Sequence, residues 1–221
     1  LNIRLAGIGF AYRPDQPIFN NLNLTIPLAG WTVLTGDCGA GKTTLAKLIA
    51  GLLKPDTGSI RFEDNEGRES PGTVGYLFQN PDDQFVHFNI GREAAFNLEN
   101  RGVHPTVLQQ AVQRVLKNCG LHDRRDDSPH DLSGGEKQKL AIADWLVSQP
   151  QILILDEPTA FLDIPTRYDL YQNIRNLIAT GLRIIWITQD ETEIALAGHV
   201  IELERGRPVR LSSNQGICPV A

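Results

Sequence analysis

Gly36-Asp37-Cys38-Gly39-Ala40-Gly41-Lys42-Thr43-Thr44 decides how the rest of the chain is read. The stretch follows an apolar run, Trp31 to Thr35, and opens a helix-like segment, Leu45 to Leu53. Gly36, Gly39 and Gly41 let the backbone turn sharply, so that its N–H groups can approach phosphate oxygens, and the helix N-terminus beyond them adds a partial positive charge. Lys42 supplies a full charge. Thr43 offers a hydroxyl to a magnesium ion, a hard cation that takes oxygen ligands beside the phosphates it bridges. A glycine-rich turn that binds nothing is the plainer reading. Three glycines, Lys and Thr together at full motif spacing between strand and helix count against it.

Outward from this loop, the composition sets bounds. With 221 residues, 41% of them hydrophobic, the chain can bury a real core as one large domain or as a core with a satellite subdomain. The longest apolar runs, such as Ile152 to Leu155, have strand length and fall far short of the roughly 20 residues that span a bilayer. A soluble globular protein is expected, and no signal-peptide pattern is visible. Cys38, Cys119 and Cys218 form no CxxC pair, and the five histidines do not cluster with them, so neither a disulfide framework nor a zinc site is suggested and a reducing cytosol fits. A net charge of −5 gives no general attraction to nucleic acid, which is not expected as a partner. The chain holds no Met, as expected where an initiator is removed.

Leu1 to Leu5 and Leu22 to Ile26 alternate apolar and polar residues, the pattern of half-buried strands. Phe10-Ala11-Tyr12 lies between them in a polar, Pro-containing stretch. Tyr12 is a candidate to stack on adenine, a contact worth on the order of 1 kcal/mol, with core packing as the other reading. Turn residues Lys54 to Gly58 lead to a strand, Ser59 to Glu63, then a polar loop, Asp64 to Gly72, and a buried strand, Val74 to Phe78. From Gln79 to Val147 the character changes. Ala94 to Leu98, Val107 to Leu116 and Glu136 to Val147 carry apolar residues at helical spacing, a helical subdomain inserted into an α/β core. Ile152 to Leu155 is then a continuous apolar strand of the parallel-sheet kind, ending in Asp156-Glu157, where carboxylates face a ligand crevice. A helix from Pro165 to Ala179, a strand Arg183 to Ile187, a short helix from Glu191 and a strand pair around His199 to Val209 complete an alternating α/β pattern.

The loop, Gln79, Leu132-Ser133-Gly134-Gly135-Glu136-Lys137-Gln138 and Ile152 to Asp163, met in that order, resemble the nucleotide-binding subunit of an ABC transporter over nearly the whole chain. The resemblance implies a P-loop NTPase (RecA-like) core with an N-terminal antiparallel β subdomain and an inserted α-helical subdomain. Residues 1–78 would hold the β-rich part and the loop, 79–148 the helical part and 149–221 the rest of the core. It implies ATP and Mg2+ as cofactors, with Tyr12 and Gly36 to Thr44 around the nucleotide. Asp156, Thr43 and Gln79 would stand at the metal, and Glu157 would polarise the attacking water, with Lys42, Gln79 and Gln189 assisting. Ser133, Gly134, Gly135 and Glu136 would form a second phosphate clamp that closes on the nucleotide of another subunit, so ATP would join a head-to-tail dimer. Ser133 and Glu136 also read as a capping box at a helix start.

Three departures from the family pattern stand out. Gln189 follows Thr188 where the family usually has a His that contacts the γ-phosphate. A neutral amide bond contributes about 0.5 to 1.5 kcal/mol against roughly 1.5 to 3 for a charge-assisted one, so hydrolysis slowed on the order of tenfold is expected. Phe161 replaces a smaller residue before Leu162-Asp163, where Asp163 matches the family's dimer-contact loop. Cys38 stands where a small polar residue is usual, read as such or as a redox switch.

Phe78 to Gln84 and Phe96 to Asn100 resemble the ATPases of energy-coupling-factor importers of metals and vitamins. That implies a transmembrane scaffold protein and a substrate-capture membrane protein as partners, at the cytoplasmic face of the membrane. Asp82 and Asp83 read either as solvated charges or as contacts to that scaffold. Many members carry a longer C-terminal region used in dimerisation; the chain ends at Ala221, so its dimer is expected to depend more on ATP and the membrane partner. The other readings are an ATPase of another transporter class, or a soluble ABC protein that uses ATP as a dimerisation switch.

Overall fold

The structure, a computed structural model, describes residues 1–64, 66–70, 72–100 and 102–213. Cys218 and, within the polar loop after Glu63, Asn65 and Pro71 lie outside the described residues. Two compact units are present, one formed by Leu1–Tyr76, Gln151–Asp156 and the chain from Asn176 onward, the other by Leu77–Pro150 and Glu157–Arg175.

In the first unit, strands β1 (Asn2–Arg13), β2 (Gln16–Pro27) and β4 (Thr57–Glu63) form an antiparallel sheet in the order β2-β1-β4. Ile3 and Leu5 point inward, then Ile8 and Phe10, so the alternation changes phase between them. Gly7 sits at that change with φ 63°, where the pairing with both neighbours is irregular; the bulge lets one strand keep both apolar sets in the core. Phe10-Ala11-Tyr12 therefore belongs to β1 and not to a connecting stretch. Pro14 and Asp15 are a two-residue turn, where the missing N–H of Pro costs no ladder bond.

The second sheet has the order β5-β6-β7-β3-β8-β9, with β3 Trp31–Thr35, β5 Val74–Leu77, β6 Ile152–Asp156, β7 Arg183–Ile187, β8 His199–Glu204 and β9 Arg207–Ser213. Pairings β6/β7, β3/β7 and β3/β8 are parallel, while β8/β9 is antiparallel. Ile152 to Leu155 are completely buried, as strands covered on both faces require. Because β3 and β6 run the same way, the loop after β3 and the carboxylate ending β6 emerge at one edge of the sheet, where α/β proteins bind ligands. Helix α1 covers Lys42–Ile49. It starts three residues earlier than the apolar pattern suggests, because the loop's own Lys42 opens it, and it ends sooner because Gly51 (φ 73°) turns the chain, with Leu52 N–H bonding Lys47 O. Helix α7 is Glu191–Leu196.

The second unit is largely helical: α2 Ile90–Glu93, α3 Phe96–Glu99, α4 Pro105–Asn118 and α5 Gly134–Val147, with α6 (Ile164–Ala179) beginning in it. The helical spacing around Ala94 to Leu98 resolves into two single-turn helices, the first capped by the Asn89 side chain. Its core joins Ile90, Ala94, Ala95, Val112, Leu116, Leu121, Leu132 and Leu140. Only Val112 and Leu116 of α4 are buried, the narrow apolar stripe of a surface helix. Among the described residues no helix is long and apolar enough to cross a membrane.

Candidate active site

The loop after β3 owes its shape to its glycines. Gly36 has φ 133°, and a Cβ there would stand 2.1 Å from Leu203 O on the neighbouring strand. Gly41, at φ 99°, is the residue before α1, and its side-chain position is taken by Phe19 and Ile18. Helix α1 thus begins with no side-chain cap and no acidic residue in its first turn. Its leading N–H groups have neither the capping oxygen nor the negative charge that helix starts usually attract, the arrangement that suits an external anion. Lys42 is buried, and its Nζ donates to Gly36 O at 2.6 Å and Asp37 O at 2.9 Å. The ammonium is therefore held inside the curve of the loop. Asp37, Cys38 and Gly39 are exposed on its rim, whereas Ala40 is buried and ties the loop to Gly206 N–H.

Around the loop the first unit gathers the other residues expected there. Tyr12 packs edge-on against Phe10, with its hydroxyl 3.4 Å from Thr44 Oγ1 and its ring more than half exposed. Gln189 Nε2 donates to Gly36 O at 3.0 Å, the carbonyl that Lys42 also uses. Thr43 Oγ1 donates to Asp156 Oδ1 at 3.2 Å, which puts a hydroxyl and a carboxylate oxygen side by side. Asp156 itself is buried, and its Oδ2 accepts the hydroxyl of Tyr76 at 2.7 Å. Burial and the Asp156 carboxylate push the Tyr76 phenol above its ordinary value, so it stays a donor at neutral pH. In the sequence Tyr76 reads only as part of a buried strand; its one signal is a phenol, which needs a partner when buried.

The second unit holds the remaining residues. Gln79 Nε2 donates to Glu157 Oε2 at 2.8 Å, so these two side chains, 78 positions apart, meet directly. Glu157 has φ 45°, a left-handed conformation that a non-glycine residue adopts at a cost and that concentrates at functional sites. Ser133 and Glu136 form a capping box at the start of α5: Ser133 N–H and Oγ donate to Glu136 Oε2 at 2.9 and 2.8 Å, and Glu136 N–H donates back to Ser133 Oγ. The Ser133 bonds, helped by Arg124, hold the Glu136 carboxyl below its usual range. Arg124 was invisible in the sequence, one of several loop arginines until the fold brings it to Glu136. A Cβ on Gly135 would lie 2.5 Å from Thr166 Cγ2, so this glycine permits close packing at the start of α5.

Asp163 accepts from Thr166 N–H at 2.9 Å as the cap of α6, and Phe161 is 71% exposed beside it. Lys137 Nζ lies 2.9 Å from the Asp82 carboxylate, with His130 beyond it, and Asp83 accepts from Asn80. A cleft of about 190 Å3 is lined by Gln79, Asp82, Gly134, Lys137, Gln138 and Phe161, among others. A larger hollow of about 400 Å3, walled by Arg92, Glu99 and Arg125, contains none of the expected site residues. Cys38 is a free, exposed thiol, whereas burial pushes Cys119 up to about 11.

A parallel sheet that ends in a glycine loop, a buried lysine, an uncapped helix start and a threonine–aspartate pair defines a P-loop nucleotide-binding α/β protein. The sequence model of the ABC transporter family matches residues 19–160, and the chain belongs to that family. Over 209 residues it is 38% identical to the energy-coupling factor transporter ATP-binding protein EcfA1 of Halalkalibacterium halodurans, covering 91% of this chain and 75% of the relative. Over 211 residues it is 41% identical to the protein of the same name from Lactobacillus acidophilus, covering 90% and 74%. Among solved structures, cbiO1 of Clostridium perfringens, part of the ABC transporter complex cbiONQ, superposes with a TM-score of 0.82 at 28% identity, over 96% of this chain and 88% of that one.

Proposed function

We propose that the chain is the ATP-binding and ATP-hydrolysing subunit of an energy-coupling-factor importer, acting with Mg2+ as one half of a head-to-tail dimer at the cytoplasmic face of the membrane. The observation that carries this reading is the loop itself, whose buried Lys42, uncapped α1 and Thr43–Asp156 pair converge in one unit of a chain 38% and 41% identical to two energy-coupling factor ATP-binding proteins. ATP would lie with its phosphates against the N–H groups of residues 36 to 44 and its base on the exposed face of Tyr12. Lys42 would exchange its two carbonyl partners for the phosphates.

Thr43 and Asp156 suit a hard cation, because both present oxygen, 3.2 Å apart. Among the described residues no cluster of three or more His, Cys, Asp or Glu is placed to hold a metal, so the cation would complete its shell with phosphate and water. When bound it neutralises charge on the phosphates. Glu157 would accept the proton of the attacking water as it adds to the γ-phosphorus and the bond to ADP breaks, oriented by its bond from Gln79. Gln189 would donate from the far side of the loop. Ser133, Gly134, Gly135 and the N-terminus of α5 would clasp the nucleotide held by a second ATPase subunit. The membrane partners would be a transmembrane scaffold and a small substrate-capture protein.

Phosphate release by the purified chain tests the chemistry, and Glu157→Gln is expected to lower turnover by about 10²- to 10⁴-fold while ATP binding persists. Unchanged turnover in that variant would remove Glu157 from its role, and no ATP binding by the unaltered chain would sink the reading. Mild purification of the tagged chain from its own membranes tests the partners. Recovery of a polytopic scaffold with a small hydrophobic protein is expected, and recovery with ordinary permease subunits instead would move it to another transporter class.

A further inference from the structure

Asp156 makes two different bonds with its two oxygens. Oδ1 accepts from Thr43 at 3.2 Å, a long bond, and Oδ2 accepts from Tyr76 at 2.7 Å, a short one of the charge-assisted kind. The carboxylate torsion of an aspartate is soft and roughly two-fold, so the Thr43 bond alone would hold it loosely. Tyr76 is 2% exposed and fixed by β5, the strand beside β6, so its hydroxyl is an anchor that cannot drift. Packing alone does not call for that hydroxyl. A phenylalanine would fill the same space without a polar atom to satisfy, and the nearby core is apolar, with Leu77, Ile154 and Leu155 fully buried.

We propose that Tyr76 is a positioning residue of the metal–nucleotide site: its hydroxyl occupies Asp156 Oδ2 and turns Oδ1 toward Thr43, where the cation belongs. The inference rests on the ATP reading above and adds to it the residue that orients the metal-binding carboxylate. Outer contacts of this kind typically carry 10- to 100-fold in metal affinity or activity. Tyr76 touches Asp156 and not the reacting atoms, so its removal acts through the metal and not through the loop.

The test compares the unaltered chain with Tyr76→Phe. ATP affinity in EDTA is expected to be equal for both, which also shows that the variant is folded. Manganese binding to the ATP complex, read by electron paramagnetic resonance, is expected to weaken on the order of tenfold. The magnesium concentration for half-maximal turnover should rise in parallel, with KM for ATP at saturating metal unchanged. Equal manganese affinity in the two proteins would overturn the inference. A second measurement needs no variant: in the ATP complex carrying tyrosine labelled at 13Cζ, the Tyr76 resonance should move as magnesium is added, and a resonance that stays put would overturn the inference as well. If the unaltered chain shows no ATP-dependent manganese binding, the ATP reading fails, an outcome distinct from equal binding by both proteins.

Discussion

Gly36 O accepts from both Lys42 and Gln189, so the amide that replaces the family's histidine is engaged with the loop backbone. A neutral amide in that place can steady the loop but would add no charge beside the γ-phosphate. Gln189→His is expected to raise turnover on the order of tenfold, measured as phosphate release, and an unchanged rate in an otherwise active protein would show that the neutral amide is no handicap. Gly36 itself tolerates no side chain, because the Cβ position is occupied by the Leu203 carbonyl and φ is 133°. Gly36→Ala is accordingly expected to destabilise the protein by about 2 kcal/mol or more and to abolish ATP binding, as read by thermal unfolding and nucleotide titration.

Helix α5 combines a capped start with a buried carboxylate in its middle. Its capping box should be worth about 1 kcal/mol, so Ser133→Ala is expected to lower the melting temperature by roughly 2 to 4 °C even without nucleotide. Further along, Asp144 is buried, and burial together with the Glu93 carboxylate raises it from its ordinary 3.8 to about 7. Glu93 on α2 is also buried and raised, opposed by the N–H groups of Val86 and His87 and by the His87 ring. Each carboxylate keeps one oxygen without a hydrogen bond. A folded-state value above the unfolded one means that the folded chain keeps a proton the unfolded chain releases. The contribution of this pair to stability should therefore be fullest below about pH 4, fall as pH rises toward about 7 and level off above it. Asp144→Asn should flatten that slope and raise the melting temperature at pH 8, whereas a decline of the same steepness would place its origin elsewhere.

At the scale of the molecule, the proposed function leaves one chain incomplete, since the start of α5 would clasp another subunit's nucleotide. Glu157→Gln with ATP and Mg2+ is expected to sediment as a dimer, and with ADP as a monomer. A monomer under both conditions would separate nucleotide binding from assembly and weaken the head-to-tail arrangement. The exposed Phe161, Ile164 and Tyr168 leave apolar surface beside Asp163.

The glycine loop, the buried strand Ile152 to Leu155 with its carboxylate end, and the helix start at Ser133 were legible in the sequence. Each is a local pattern, in which a few adjacent residues carry both the conformation and the chemistry. The strand through Phe10 to Tyr12 was hidden because a bulge at Gly7 breaks the period and Pro14 imitates a breaker. Sequence by itself determined the loop, the order of strands and helices and the two carboxylates Asp156 and Glu157. Only tertiary structure decided which partner each polar group has: Tyr76 on Asp156, Gln79 on Glu157, Arg124 on Glu136 and Gln189 on Gly36. Those partners lie from 12 to 153 positions apart, and a hydrogen bond depends on ångström distances that no local pattern encodes.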